Sequence, residues 1–71
     1  MDDQVLNNLP TFRVKHGMSQ QELADAIGVS RKTISTIETR RFTPSVVIAL
    51  KLASFFNVPV EEIFTLEVSS S

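Results

Sequence analysis

The stretch that decides the fold runs from residue 19 to residue 38: Ser19-Gln20-Gln21-Glu22-Leu23-Ala24-Asp25-Ala26-Ile27-Gly28-Val29-Ser30-Arg31-Lys32-Thr33-Ile34-Ser35-Thr36-Ile37-Glu38. Ser19 with Glu22 three residues on is a capping box: the hydroxyl accepts from the N–H of residue 22, and the carboxylate reaches back to the N–H of Ser19. Leu23, Ala24 and Ile27 then share one face, which predicts a helix over about 20–27. Gly28 supplies the positive φ that ends it. Val29 plugs the turn, and Ser30 caps a second helix over about 31–38. Only Ile34 and Ile37 anchor that second helix. Everything else on it is polar or basic, so it is held along a narrow stripe with its other side free for a partner. Two helices joined by Gly28-Val29-Ser30, with small Ala24 where they cross, make a helix-turn-helix over about 20–38. In such a unit the second helix enters the DNA major groove and the first crosses the backbone.

Outward from this pair the pattern stays helical. Asn7 or Asn8 caps a first helix running to about His16, with Pro10 near its start, where a missing N–H costs little. Gly17 ends it, and Leu9 and Phe12 share its buried face. Past the central pair, Thr39 to Pro44 form a loop, and Pro44-Ser45 opens a helix to about Phe56. Val46, Ala49, Leu52, Ala53 and Phe56 repeat at three and four and predict its core face; Ile48 and Phe55 flank that face. Asn57 stops this helix. A last turn runs from about Val60 to Phe64, with Glu61 and Glu62 at the positive end of its dipole. Phe64 to Val68 alternates apolar and polar, the period of a strand, and Gln4-Val5-Leu6 is its pairing partner. Ser69 to Ser71 read as a frayed tail. The expected fold is mainly all-α: one domain over residues 1–71, with five helices and a small antiparallel sheet from terminal strands at about 4–6 and 64–68.

A chain of 71 residues buries only about 60% of its unfolded surface, so its stability needs support. With no cysteine and with His16 as the only histidine, neither a disulfide nor a zinc-type site supplies it. No metal or other cofactor is expected, and oligomerisation is the support left. The start Met1-Asp2-Asp3 is acidic where a secretory leader would be basic, and no run approaches the ~18 apolar residues of a membrane span. A cytoplasmic chain with no membrane partner is the expectation. His16, at a helix end, reads as a solvated or capping residue, with a pH switch or a ligand role as the alternative.

The formal net charge is −1, yet its distribution is uneven. Between Arg13 and Arg41, six basic residues face Glu22, Asp25 and Glu38, a local +3; outside, Lys51 faces Asp2, Asp3, Glu61, Glu62 and Glu67, a local −4. A phosphate backbone meets the local field, not the total. Enzyme chemistry finds no inventory: no cysteine, one histidine, no glycine-rich phosphate loop, and no base beside a nucleophile. Helix-start electrostatics account for Glu61-Glu62. No small-molecule ligand is evident from any motif.

Residues Gly17 to Ala24, Ile27 to Ser35, Ile37-Glu38, Pro44-Ser45, Ala49 to Ala53 and Val60 to Phe64 together resemble the Cro/phage-repressor (XRE) helix-turn-helix family over roughly residues 8–66. The resemblance extends to its short members without an effector domain, which end in a strand that pairs with an amino-terminal one and contributes to a two-fold dimer. It implies a double-stranded DNA-binding regulator acting as a homodimer on a palindromic operator, with repression as the simplest mechanism. Base readers would fall on Arg31, Lys32, Ser35 and Thr36. Arginine and lysine suit this role, because they match the O6/N7 acceptors of guanine. Phosphate contacts would fall on Gln20, Ser30 and Thr39, with Thr33 near the backbone. Arg40 and Arg41 either add sequence-independent attraction or sit on a solvated loop. Arg13 and Glu38 align with a structural ion pair. Ile48, Phe55, Phe64, Leu66 and Val68 serve as core or as dimer interface. Thr39-Arg40 stands where the family usually has Asn-Gly; since a left-handed non-glycine residue is strained, a different loop path is expected. The competing reading is an antitoxin, which binds a protein toxin and uses DNA binding for autoregulation.

Overall fold

The computed structural model describes residues 4–68; the tail expected at Ser69 to Ser71 lies outside them. In chain order the elements are β1 (Gln4–Asn7), α1 (Leu9–Lys15), α2 (Gln20–Ile27), α3 (Arg31–Glu38), α4 (Val46–Phe56), α5 (Val60–Ile63) and β2 (Phe64–Glu67). The two strands pair antiparallel, Gln4 opposite Glu67 and Asn7 opposite Phe64. The all-α expectation with a small terminal sheet therefore holds, with Asn7 added to the first strand and Val68 left just past the second.

Local chemistry accounts for the starts of α2, α3 and α4. The Ser19–Glu22 capping box is formed in both directions, at 3.0 and 2.8 Å. The Ser30 hydroxyl accepts from the Thr33 N–H and that of Ser45 from the Ile48 N–H, each at 3.2 Å. The helix ends share one device. After each of α1 to α4 a residue takes positive φ: Gly17 (+68°), Gly28 (+75°), Arg40 (+64°) and Asn57 (+57°). The next N–H then turns back to a carbonyl five residues earlier: Met18 to Arg13, Val29 to Ala24, Arg41 to Thr36 and Val58 to Ala53, all at 2.9–3.0 Å. This is the Schellman arrangement, which satisfies carbonyls that the helix would otherwise leave unpaired.

Ten apolar residues form the core: Leu9 of α1; Leu23, Ala24 and Ile27 of α2; Ile34 and Ile37 of α3; Leu52, Ala53 and Phe56 of α4; and Ile63 of α5. Phe12 packs on Phe56 with ring centroids 5.5 Å apart. One core expectation fails. Val46 is 74% exposed, because it is the first residue of α4 and its row of apolar positions runs past the end of the core. Ile48 and Phe64 are half-buried against the core of their own chain, whereas Phe55, Leu66 and Val68 stay exposed. His16 sits at the end of α1, its Nδ1 bonded to the Phe12 carbonyl at 2.8 Å and its ring 4.9 Å from that of Phe56.

Polar bonds of long range orient the elements. Asn7 donates from Nδ2 to the Ile37 carbonyl and accepts the Leu9 N–H on Oδ1, both at 3.1 Å, so one side chain joins β1, α1 and the end of α3. Glu38, the last residue of α3, receives Arg13 Nε at 2.7 Å, Arg13 Nη2 at 3.3 Å and Gln20 Nε2 at 3.0 Å. Arg13 Nη1 adds a bond to the Met18 carbonyl at 2.9 Å. The structural ion pair is thus present and largely buried, with 17% and 7% of the two side chains exposed. Hydrogen bonding to Glu38, reinforced by its charge and opposed by burial, raises the Arg13 pKa above its ordinary value. Stability from a raised pKa is complete below the unfolded value and is lost only as pH climbs through the folded one. For an arginine that window lies in strong alkali, so the pair persists at every pH where the protein would be handled.

Removing one partner of such a pair strands the other charge. Glu38→Ala and Arg13→Ala are each expected to destabilise the chain by about 3–5 kcal/mol in urea unfolding, and Arg13→Met with Glu38→Leu to recover much of that loss. Losses below about 1 kcal/mol would place the pair among surface ion pairs.

Candidate nucleic-acid interface

The sequence of α3 divides it into two sides. Ile34 and Ile37 are fully buried. At 100° per residue, Lys32, Ser35 and Thr36 fall opposite this pair, with Arg31 and Thr33 on the flanks. Arg31 and Lys32 are exposed, Thr33, Ser35 and Thr36 half-exposed. Neither Arg31 nor Lys32 has a hydrogen-bond or ion-pair partner among the described residues. The expected base readers therefore lie on one outward face of one helix.

Hydroxyl commitments decide what this face can offer. Thr36 Oγ1 donates to its own helix, to the carbonyls of Lys32 at 2.8 Å and Thr33 at 3.1 Å. Its single proton is engaged, so toward a base edge it presents a methyl group and an acceptor oxygen. Thr39 is more restricted. Its hydroxyl donates to the Ser35 carbonyl at 3.0 Å and its N–H to the same carbonyl at 3.1 Å, leaving no free donor for a phosphate. The N–H groups of Arg40, Arg41 and Phe42 are likewise taken, by the carbonyls of Ile37 and Thr36. Over residues 39–42, phosphate contacts thus depend on the arginine side chains.

The loop does not take the different path that its residues suggest. Arg40 stands in the left-handed conformation at φ +64°, where the family has glycine, and the Schellman bonds hold it there. One consequence was not legible in the sequence: the two arginines separate. Arg41 joins Ser30, Lys32, Thr33, Thr36 and Phe42 around an open groove of about 310 Å³. Arg40 lines a different cavity, behind α3. Phe42, 44% exposed, is the groove residue that sequence reasoning missed, and only the hydrophobicity of an isolated loop aromatic could have flagged it. No carboxylate lines the groove.

Gln20 and Ser30 open α2 and α3. Their hydroxyl and amide groups serve the fold first, Gln20 on Glu38 and Ser30 on the Thr33 N–H and, at 2.9 Å, the Thr33 hydroxyl. The first-turn N–H groups of Gln20, Gln21, Arg31 and Lys32 have no partner among the described residues. Such groups, with the helix dipole behind them, favour an anion. The surface thus combines free cations, free helix-start N–H groups and a helix face of donors and acceptors. No helix among the described residues is long and apolar enough to cross a membrane.

The profile of the helix-turn-helix family matches residues 11–63. An uncharacterised HTH-type transcriptional regulator of Methanocaldococcus jannaschii is 44% identical over 61 residues, covering 86% of this chain and 92% of the relative. The cryptic phage CTXphi transcriptional repressor RstR of Vibrio cholerae is 35% identical over 52 residues, 73% of this chain and 47% of that one. Among solved structures, the transcriptional regulator VanUg superposes with a TM-score of 0.79 at 21% identity, over 97% of this chain and 92% of its own, which is a likeness of fold.

The Arg40 conformation gives a direct test of the loop. A left-handed arginine costs roughly 1–2 kcal/mol, and glycine returns part of the gain through its freer unfolded chain. Arg40→Gly is expected to raise stability by about 0.5–1 kcal/mol in urea unfolding, and Arg40→Ala to give no such rise; equal effects would mean that the strain is absent.

Proposed function

The chain belongs to the helix-turn-helix family of transcriptional regulators, which bind DNA and are not enzymes, and we propose that it is a sequence-specific repressor that acts as a homodimer on a palindromic operator. The observation that carries this reading is the outward face of α3, where Arg31 and Lys32 are unpaired beside Ser35 and Thr36 while Ile34 and Ile37 hold the helix to the core. Arg31 and Lys32 read guanine edges, each good bidentate contact giving about 1–3 kcal/mol of discrimination. Thr36, its proton engaged, reads by its methyl group and acceptor oxygen, and Ser35 by its hydroxyl. Phosphates are met by Ser30, Thr33 and Arg41 at the groove, by the helix start at Gln20, and by the charge of Arg40. Thr39 shapes the end of α3, and a phosphate contact from its hydroxyl would exchange the bond that it makes to the Ser35 carbonyl.

The homodimer rests on size and on exposed apolar surface. Leu66 is 59% exposed at a strand edge, with Val68 just beyond it and Phe55 on α4. Edge-to-edge or face-to-face contact there would cover surface that a lone chain leaves in water. Two α3 helices would then stand about 34 Å apart, one turn of duplex, on an inverted repeat. The relative named a phage repressor supports the sign of regulation. An antitoxin reading is favoured by one feature only, the shallow apolar groove between Ala26 and Ile27 of α2 and Val47, Leu50 and Phe55 of α4. Capture of a protein there, with DNA binding secondary, is what would promote it.

Selection from random duplex DNA is expected to enrich an inverted repeat bound on the order of 10³-fold above scrambled sequence; absence of enrichment would turn the search to a protein partner. On the selected site, Arg31→Ala is expected to relax preference at one base position at a loss of about 1–3 kcal/mol. Arg41→Ala should weaken all sequences alike and lower the salt slope by about one. Equal loss on specific and random DNA for Arg31→Ala contradicts its role. Leu66→Lys keeps the strand and adds a charge at the edge, so sedimentation should report a monomer that occupies one half-site; an unchanged dimer removes the sheet from the interface.

A further inference from the structure

The geometry points to a second binding site, for a small carboxylate with a compact apolar body, in the cavity behind α3, and to Phe42 as the element through which its occupant weakens DNA binding. The regulatory half rests on the DNA-binding reading above; the site itself does not. The cavity measures about 190 Å³ and lies between β1, the end of α3 and the loop at 40–44. Val5, Ile37, Phe42, Pro44 and Phe64 supply the apolar part of its lining, and Gln4, Asn7, Arg40 and Thr43 the larger, polar part. An apolar cavity of about 150 Å³ holds benzene, so this one has room for a ring of that size with a carboxylate attached.

The polar lining selects the sign of the ligand. Asn7 lines the cavity, but its amide is committed at both ends, to Ile37 and Leu9. Gln4, Arg40 and Thr43 remain, and none has a side-chain partner among the described residues. No acidic side chain lines the space. A guanidinium, an amide and a hydroxyl beside apolar walls suit a carboxylate, which the planar arginine fork pairs bidentately; a bare phosphate would leave the walls uncovered. Arg40 lines the cavity from a backbone at φ +64°. Strained backbone of this kind clusters at ligand clamps and switch regions.

Coupling follows from one shared residue. Phe42 lines both this cavity and the groove that carries Arg41, Lys32 and Thr36. Three consecutive loop residues thus place Arg40 on the cavity, Arg41 on the DNA face and an aromatic ring on both. An occupant that packs against Phe42 from behind and pairs with Arg40 alters the wall of the groove and withdraws one cation from the DNA. By linkage, operator and ligand must weaken each other by the same factor.

The test uses the full chain and sodium benzoate, followed by NMR, with benzyl alcohol as the neutral control. Saturable shifts centred on Val5, Phe42 and Phe64 are expected with benzoate, and binding about tenfold weaker with benzyl alcohol or in Arg40→Gln. Val5→Phe should fill the cavity and abolish the shifts. At saturation benzoate should weaken operator binding by about fivefold or more. No saturable shift at millimolar benzoate, shifts centred elsewhere, or shifts that appear only when Leu66→Lys separates a dimer would each overturn the site. Benzoate binding with an unchanged operator affinity would overturn the regulatory half. A failure of the DNA-binding reading shows itself separately, as no enriched operator, with the shift data standing.

Discussion

The position of the reading helix depends on one carboxylate. Glu38 closes α3 and receives three N–H bonds, two from Arg13 of α1 and one from Gln20 of α2. Apolar contacts among Leu23, Ile34 and Ile37 favour collapse but carry little direction. A charge only 7% exposed is different, because without its donors it is unfavourable by several kcal/mol. Its burial therefore requires α1 and the start of α2 to stand in one arrangement around the end of α3. The same arrangement leaves Arg31 and Lys32 on the outside and brings the two helix starts, at Ser19 and Ser30, to the surface.

The second constraint is how α3 ends. Schellman bonds from Arg40 and Arg41 to Ile37 and Thr36 turn the chain sharply, and the sharpness of that turn sends successive side chains in different directions. Two arginines that look like one basic cluster in the sequence consequently serve two surfaces. With the backbone N–H groups of residues 39–42 all engaged, this stretch of the loop mounts side chains and offers no amide cradle of its own. Asn7 reinforces it from the far side by bonding the Ile37 carbonyl.

Local signals were legible because local physics decides them. The Ser19–Glu22 box, the Gly28 stop, the Ser30 cap and the helix opening at Pro44-Ser45 each depend on neighbours within about five residues, and each appears where the pattern places it; the strand from Phe64 is also present, but it stops at Glu67 and leaves Leu66 exposed. Val46 was misread because periodicity gives the side of a helix that is apolar without saying where the neighbouring element ends. The Arg40 path was misread for the opposite reason: a general cost of left-handed backbone was weighed without the four bonds that hold this turn in place. The Arg13–Glu38 pair came from family resemblance, since nothing in a spacing of 25 residues predicts contact. The engaged Thr39 hydroxyl, the role of Phe42 and the cavity behind α3 are products of tertiary packing, and no local pattern encodes them.

The account stands most directly on where DNA touches the chain, and amide shift mapping with the selected operator duplex measures that. Shifts concentrated at residues 20–21, 30–36 and 40–42, with α4 from 46 to 55 unmoved, are the predicted result. Shifts concentrated on the outer side of α4, with Arg31 to Thr36 unchanged, would contradict it.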